Sequence, residues 1–269
     1  AIDDAEIEYE APAPVKAFKE YQARVVKLEK LTYDVMRVLL KLPEGQQIPF
    51  KAGQYINIIL DDGQRRAFSF ANPPHEAEFV ELQIRLMKGG LFTTHVFEKM
   101  KEGDEVRFEG PIGDFSLRES QRPIVFVAGA TGFAPVKSMV EDAFKRGLKR
   151  EIHLYWGVRQ LRDLYLPDLP AGWASTHSHI RYVPVLSDEV WAGRKGLAHK
   201  AVLEDHADLA PDGLDVLHIV GQLDAVDDDL ALLVLLQPVD AADHGGLAGA
   251  GGAADDELLA ALDLEVDVA

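Results

Sequence analysis

Cysteine is absent from the 269 residues of this sequence. A chain without thiols can hold neither a disulfide nor a thiolate nucleophile, and it cannot ligate a zinc ribbon or an iron–sulfur cluster through sulfur. Any redox chemistry in this chain therefore needs a bound organic cofactor. We expect no iron–sulfur cluster and no metal.

Long apolar runs are missing as well. The longest, residues 230–236, is much shorter than the roughly 20 apolar residues that a membrane-spanning helix needs. The acidic residues 1–6 also lack the basic-then-apolar order of a signal peptide. We therefore expect a soluble, cytoplasmic protein that has no membrane partner.

Basic residues are confined to the first three quarters of the chain. The net charge is −17, and residues 204–269 hold 17 of the 45 Asp and Glu residues but no Lys or Arg. The preceding residues are therefore balanced, with 28 charges of each sign. Because no unpaired basic stripe is available to replace counterions, we expect no nucleic-acid partner.

Large side chains are rare near the end of the sequence. No Phe, Tyr or Trp follows Trp191, and residues 245–252 are a low-complexity stretch of Gly, Ala and Leu. Aromatic side chains dominate the energetics of packed cores. We therefore expect residues 224–269 to form an atypical acidic tail that is loosely packed or partly disordered.

Short strands separated by turn residues fill residues 21–117. Such a succession predicts an antiparallel barrel or sandwich. The predicted strands are 23–28, 35–42, 54–60, 67–71, 79–87 and 105–109. One helix is expected in this part of the chain, at residues 92–100.

The pattern changes after residue 120. Residues 124–128 are continuously apolar, as expected of a strand that is buried on both faces of a parallel sheet. After a turn with two glycines, apolar residues recur at helical spacing until Gly147. Further strands are predicted at 152–158 and 182–186, so we expect a second, α/β domain with a parallel sheet.

Arg66, Ala67, Phe68 and Ser69 lie on a predicted strand, where side chains alternate between two faces. Arg66 and Phe68 then share one face, while Ala67 and Ser69 share the other. A guanidinium binds a diphosphate bidentately, a phenyl ring covers a flavin, and a serine hydroxyl reaches a ring nitrogen. Taken alone, the four residues fit an edge strand with a surface arginine and a core phenylalanine better.

Two glycine turns precede predicted helices. Gly89 and Gly90 come before a helix whose N-cap is expected to be Thr93 or Thr94, and by itself this is an ordinary turn. Residues 129–132 lie between a buried strand and an amphipathic helix, which is the context that a nucleotide-binding turn requires. The turn is neither the full dinucleotide fingerprint nor a Walker sequence.

Two further places have residues that suit a ligand. Arg159 ends the next strand, where α/β sheets bind ligands, and it can contact an adenosine ribose or a 2′-phosphate; a solvated surface arginine fits about equally well. His177 and His179 have a spacing that suits a metal, but no carboxylate is near them in sequence. A polar loop is the favoured interpretation.

Together and in this order, the motifs resemble the ferredoxin–NADP reductase superfamily, in particular the flavin and NADH modules of phenol hydroxylase-type and CDP-6-deoxy-glucoseen reductase-like oxygenase reductases. The family's Arg-x-Tyr-Ser signature is present at residues 66–69, and its Gly-x-x-Ser signature at residues 90–93. Additional segments that look like family landmarks are 51–55, 109–113, 129–135, 155–159, 164–166 and 184–187. The resemblance spans residues 21–205.

The resemblance implies an antiparallel six-stranded β-barrel that binds FAD, followed by an α/β parallel-sheet domain that binds NAD(P)H. It divides the chain into a linker or remnant of a ferredoxin-like domain (1–20), the FAD domain (21–120), the NAD(P)H domain (121–223) and the tail. The implied activity is that of an NAD(P)H-dependent flavin oxidoreductase. Electrons would pass from NADH through FAD to a ferredoxin or oxygenase component, and we expect a monomer.

The resemblance also assigns residues to the site. Ser69, close to flavin N5, and Thr131, seating the nicotinamide, are the predicted catalytic residues. The predicted cofactor-binding residues are Arg66, Ala67, Phe68, Ser69, Ile84, Arg85, Gly90, Leu91, Phe92, Thr93, Gly129, Thr131, Gly132, Pro135 and Arg159. NADH is favoured over NADPH, since residues 160 and 161 add no second charge beside Arg159, although Arg162 can add one.

Departures from the family pattern leave two other interpretations open. Phe68 replaces a tyrosine and loses one hydroxyl contact, so FAD would be held less tightly, as in a reductase that releases free reduced flavin. Val220 stands where the family has a cysteine, and the acidic tail follows it. This change is compatible with a non-catalytic electron-transfer or binding subunit of the same fold.

Overall fold

A computed structural model describes residues 18–206 and 215–220, and for residues 215–220 it gives the backbone. Nearly all of the predicted linker (1–20) and the whole predicted tail (224–269) lie outside the described residues.

Six antiparallel strands form the first sheet: β1 (Glu20–Lys30), β2 (Val35–Lys41), β3 (Tyr55–Ile59), β4 (Arg65–Ser69), β5 (Phe79–Arg85) and β6 (Glu105–Ile112). Their order is β4-β3-β6-β1-β2-β5, and helix α1 (Leu91–Glu98) follows β5. The amide of Ala71, two residues after β4, donates to the carbonyl oxygen of Glu81 on β5 at 2.8 Å. The predicted six-stranded antiparallel fold is confirmed.

Alternation of apolar and polar residues turns one face of this sheet into a core. In β1, Tyr21, Ala23 and Val25 are buried while the residues between them are exposed. Tyr21 lies opposite Phe108 of β6, and their stacked rings are 5.4 Å apart. Burying one such side chain stabilises the fold by about 1.5–3 kcal/mol.

Five parallel strands form the second sheet: β7 (Ile124–Gly129), β8 (Ile152–Val158), β9 (Ile180–Leu186), β10 (Arg194–Lys195) and β11 (Asp215–Val220). Their order is β10-β9-β8-β7-β11. The helices are α2 (Phe133–Lys145), α3 (Asp168–Thr176) and α4 (Ala198–Asp205), and short 3₁₀ helices occupy Pro74–Glu76, Ala130–Gly132 and Leu161–Asp163. The predicted α/β domain with a parallel sheet is confirmed.

The predicted apolar stripe of α2 faces the second sheet. Val136, Met139, Val140 and Ala143 are all buried, and the first three share a core with β7 and β8 side chains such as Phe126. This packing holds α2 against β7, the strand that precedes it. The conformation of the turn between them is thereby fixed as well. Within the described residues, no helix combines the length and the apolar character needed to cross a membrane.

Candidate functional site

Strand β4 carries the first predicted motif. Arg66 lies opposite Ile58 of β3 and Phe68 lies opposite Ile56, while Ala67 lies opposite Asn57. The Arg66 side chain folds along its own strand: its Nη1 donates to the Arg65 carbonyl oxygen at 2.9 Å, and its Nη2 donates to Gln64 Oε1 at 2.7 Å. Phe68 and Ser69 are half-buried, so part of each side chain remains accessible to solvent.

The second motif lies at the start of α1. The N-cap of this helix is Gly90, and the prediction that Thr93 or Thr94 caps it is wrong. Thr93 is the third helical residue, and its Oγ1 instead accepts a hydrogen bond from the Met87 amide at 3.1 Å. A Cβ on Gly90 would lie 2.6 Å from Thr93 Oγ1, so only glycine leaves room for this bond.

An aromatic contact joins the two motifs. The rings of Phe68 on β4 and Phe92 on α1 lie 5.5 Å apart and are tilted by 47°. The arginine of the first motif and the open amides at the start of α1 therefore belong to neighbouring elements. A guanidinium together with first-turn amides is a donor set that fits a diphosphate.

The glycine turn of the second domain connects β7 to α2. Its tight bend depends on Ala130, which has a φ of +44°, and not on Gly129 or Gly132, whose φ values are −109° and −58°. Trp156 of β8 stabilises the turn, because its Nε1 donates a hydrogen bond to the Ala130 carbonyl oxygen at 2.9 Å. The Trp156 ring also stacks on Phe133 at 4.0 Å. The amides of the turn are thus presented on a rigid support.

A cleft between the two domains brings several predicted residues together. Arg85 lines it from the first domain, and Thr131 and Arg159 line it from the second. Thr131 and Arg159 follow the carboxyl ends of β7 and β8, where parallel sheets bind ligands. The remaining lining residues are Asp34, Val35, Ala130, Val158, Asp163 and Tyr165.

Other predicted residues do not line this cleft. Residues 66–69 and 90–93 lie on β4 and α1, Ile84 is buried in the core of the first domain, and Pro135 is buried in the first turn of α2. Leu91 is 68% exposed. The structure thus arranges the predicted residues as two groups, one around β4 and α1 and one around the cleft.

Sequence reasoning missed the acidic residues of the cleft. Arg85 Nε donates to Asp34 Oδ2 at 2.8 Å, which fixes the guanidinium at the end of β5. The Tyr33 hydroxyl donates to Asp163 Oδ1 at 2.9 Å across the domain boundary; burial and this bond raise the pKa of Tyr33. Neither aspartate belongs to a recognisable motif, and only their positions in space reveal them.

Arg159 has an acidic neighbour. Its Nε lies 3.9 Å from Asp188 Oδ2, and the Asp188 amide donates to the Arg159 carbonyl oxygen at 2.9 Å. Arg162 points elsewhere, because its guanidinium lies over the Tyr33 ring, 5.1 Å from the ring centre. Each arginine therefore has a partner of its own, Asp188 for Arg159 and the Tyr33 ring for Arg162.

Buried hydrogen bonds join the domains behind the cleft. The Tyr165 hydroxyl donates to Gln83 Oε1 at 2.7 Å, and Ser138 Oγ donates to the Asn72 carbonyl oxygen at 2.7 Å. Complete burial raises the pKa of Tyr165, so this hydroxyl stays protonated. These hydrogen bonds therefore hold the two domains in a fixed relative position behind the cleft.

The two histidines, His177 and His179, are half-buried residues that follow α3. The His177 ring stacks on Phe144 at 4.3 Å, and burial lowers the pKa of His179. Among the residues that the structure describes, no group of three or more His, Asp or Glu side chains is placed to hold a metal ion.

Comparisons with known proteins identify both domains. Residues 22–117 match the family profile "Oxidoreductase FAD-binding domain", and residues 126–224 match "Oxidoreductase NAD-binding domain". In solved structures, the fold is similar to that of the Amycolatopsis cytochrome P450 reductase GcoB, with a TM-score of 0.70 and 35% identity. That match covers 75% of this chain and 62% of the Amycolatopsis chain.

Two curated relatives are similar in sequence. The CDP-6-deoxy-L-threo-D-glycero-4-hexulose-3-dehydrase reductase of Yersinia pestis is 42% identical over 194 residues, which are 71% of this chain and 58% of that protein. The NAD(P)H-flavin reductase of Aliivibrio fischeri is 35% identical over 195 residues, 70% of this chain and 81% of that protein. This chain therefore spans less than two thirds of the Yersinia relative.

Proposed function

This chain belongs to the ferredoxin–NADP reductase superfamily, and we propose that it is an NAD(P)H-dependent flavin oxidoreductase. Electrons pass from NADH through FAD to an iron–sulfur protein or an oxygenase component. The observation that carries this proposal is the cleft, whose walls bring Arg85 of the FAD-binding domain next to Thr131 and Arg159 of the NAD-binding domain. We place the FAD domain at residues 21–120 and the NAD(P)H domain at residues 121–223.

The proposed roles follow from the donor set. Arg66 and the first amides of α1 hold the FAD diphosphate, with Gly90 and Thr93 shaping that helix start. Phe68 would cover the flavin ring, and Ser69 would donate a hydrogen bond close to N5. FAD held by these residues would supply the chemistry of hydride acceptance and one-electron release.

The second domain positions the reduced nucleotide. The amides of residues 129–132 hold its pyrophosphate at the start of α2, and Thr131 seats the nicotinamide in the cleft. Arg159 contacts the adenosine ribose. Proximity and orientation supply much of the rate, because the protein brings the donor and the acceptor together.

NADH is the proposed nucleotide. The Asp188 carboxylate beside Arg159 favours a ribose diol and repels a 2′-phosphate, as acidic residues do in NAD-binding folds. Arg162, the other cation close to Arg159 in sequence, lies over the Tyr33 ring. The pairing of Arg159 with Asp188 is the observation that supports NADH over NADPH.

The proposed setting is the cytoplasm, where the chain acts as a monomer that docks with a redox partner protein. The Amycolatopsis neighbour is a cytochrome P450 reductase, which is compatible with electron delivery to another protein. A second candidate, reduction of free flavin, is favoured by the Aliivibrio relative, 81% of which is covered, and by the missing hydroxyl at Phe68.

An anaerobic titration of the FAD-loaded protein tests these proposals. We expect one equivalent of NADH to bleach the visible flavin absorbance, with NADH giving a higher initial rate than NADPH. Flavin colour that stays with the protein through gel filtration supports a bound cofactor, whereas its loss supports reduction of free flavin. A spectrum that neither nucleotide bleaches would contradict the enzymatic proposal.

A further inference from the structure

A buried lysine lies at the junction of the two domains. Lys137 is on α2, one turn beyond the glycine turn, and only 7% of it is exposed. Its ammonium has three acceptors: the Ala71 carbonyl oxygen at 3.0 Å, Glu81 Oε2 at 3.3 Å and Glu141 Oε2 at 3.0 Å. An ammonium has three donors, so this set satisfies the group completely.

These acceptors come from both domains. Ala71 and Glu81 belong to the FAD-binding domain, while Glu141 is one turn further along α2. Glu81 also accepts a hydrogen bond from Arg37 at 3.0 Å and from Gln83 at 3.2 Å. The lysine is therefore part of a buried network of charges that crosses the domain boundary.

Lys137 connects two segments that lie close in sequence to the proposed catalytic residues Ser69 and Thr131. Ala71 comes two residues after Ser69, and its amide is bonded to Glu81 on β5. The Glu81 amide donates to Asn72 Oδ1 at 2.8 Å, which fixes the same segment again. On the other side, Lys137 lies six residues after Thr131, on the helix that begins at the glycine turn.

Packing alone does not explain why the charged side chain of Lys137 is buried at this position. Desolvating an ammonium and a carboxylate is costly, and an apolar residue of similar volume commonly stabilises such a position equally well or better. What an apolar side chain cannot supply is a directional bond to the carbonyl oxygen of Ala71. The charge therefore secures a relative position more than it adds stability.

We propose that Lys137 is a positioning residue for hydride transfer, which holds the Ser69 end of β4 at a fixed distance and angle from the glycine turn. This inference rests on the proposed function. Hydride transfer is sensitive to the separation of donor and acceptor, so a loosened link lowers the rate of transfer more than it lowers the affinity for NADH.

The test compares Lys137→Met with Lys145→Met, a control at an exposed lysine on the same helix. In anaerobic single-turnover reduction of the FAD-loaded protein, we expect Lys137→Met to react at least about 10-fold more slowly at saturating NADH. Its dissociation constant for NADH should stay within about twofold of the wild-type value. The control should match the wild type in both measurements.

A second measurement does not depend on turnover. Hydrogen exchange of the FAD-free full chain should be faster across residues 70–82 in Lys137→Met than in Lys145→Met, because the anchored carbonyl is released. If the wild type is reduced by neither nucleotide, the proposed function fails, while this exchange measurement still decides whether Lys137 joins the domains. Equal exchange in the two variants would overturn the inference.

Adding Glu141→Gln to Lys137→Met separates positioning from stability. In Lys137→Met, Glu81 keeps its ion pair with Arg37 at 3.0 Å, whereas Glu141 loses its ammonium partner. The double variant neutralises Glu141, so its thermal midpoint should rise above that of Lys137→Met. The rate should stay low, because the bond to Ala71 is still missing. Recovery of the rate together with the midpoint, or a single variant that reacts as fast as the wild type, would refute the positioning role.

Discussion

Two adjacent arginines on β4 differ in their surroundings. Arg65 is exposed, and its Nε donates to Glu109 Oε1 on β6 at 2.7 Å. Arg66 is buried on the other face and lies against Gln64 at the strand start. Because side chains alternate along a strand, Arg65 and Arg66 lie on opposite faces. Arg65 has a structural role, and Arg66 is the arginine proposed to bind FAD.

Substitution of each arginine by lysine tests this division. Lysine keeps the charge but cannot form a bidentate contact with a phosphate. Arg66→Lys should therefore weaken FAD binding roughly 10-fold, which corresponds to about 1.5 kcal/mol for one lost charge-assisted hydrogen bond. Flavin fluorescence quenching during titration gives the dissociation constant.

Arg65→Lys is the matched control, and it should bind FAD as the wild type does. Equal loss of affinity in both variants would show that general charge, rather than the geometry of Arg66, holds the cofactor. Wild-type affinity in Arg66→Lys would remove this residue from the site.

At the scale of elements, the turn before β3 depends on a close approach between two backbones. Gly53 has a φ of +100°, and a Cβ added there would lie 2.4 Å from the Phe115 carbonyl oxygen. Gly103, in the turn before β6, has nearly the same φ of +99° but has no atom within 4 Å of such a Cβ. The two glycines share a backbone conformation and differ in available space.

Gly53→Ala should consequently be the more destabilising of two otherwise similar variants. Both substitutions pay roughly 1–2 kcal/mol for placing an alanine at positive φ. Gly53→Ala adds a clash with the backbone, about 1–3 kcal/mol by analogy with overpacked cores. Thermal unfolding should give a lower midpoint for Gly53→Ala than for Gly103→Ala, and equal midpoints would contradict the steric argument.

Hydrophobic periodicity explains which elements could be predicted. The strands of the first sheet and α2 have clear apolar patterns, and the structure places them within a few residues of the predicted bounds. Helices α3 and α4 were missed, because each buries only two side chains: Pro170 and Trp173 in α3, and Ala201 and Val202 in α4. Strand β10 has two residues and no pattern at all.

The site was predictable to a lesser extent. The alternation on β4 and the glycine turn follow from local sequence, and so does their place on a strand and before a helix. That Arg85, Thr131 and Arg159 line one cleft depends on how the two domains meet. The acidic partners Asp34 and Asp188 have no local signal, since their roles arise from neighbours distant in sequence.

At the scale of the whole molecule, three histidines make stability depend on pH. Burial is the main cause that lowers the pKa of His179, His199 and His206 below the ordinary value of 6.5. His206 also faces His153, with 3.2 Å between Nε2 and Nδ1, and Arg181 lowers its pKa further, while Glu151 opposes the shift.

Acidification should therefore destabilise the protein. Below pH 6.5 the unfolded chain takes up protons that the folded histidines resist, so the stability present above pH 6.5 is lost as the pH falls. Glu141 acts in the opposite sense at lower pH, since burial raises its pKa above 4.5. Thermal midpoints measured between pH 8 and pH 5 should show the decline.

His206→Gln isolates one contribution. The variant removes the titrating ring at the end of α4, so its midpoint should fall less steeply with pH than that of the wild type. His75→Gln is the comparison, because His75 is an exposed residue of the 3₁₀ helix Pro74–Glu76, which buries none of its side chains. Parallel curves for wild type and His206→Gln would show that this histidine does not contribute.

The surroundings of the Trp156 indole affect its fluorescence. Its N–H is bonded to the carbonyl oxygen of Ala130, and its ring is stacked on Phe133, the first residue of α2. Indole emission responds to hydrogen bonding and to the polarity around the ring. The glycine turn at residues 129–132 therefore has an intrinsic fluorescent reporter on the neighbouring strand β8, and no label is needed.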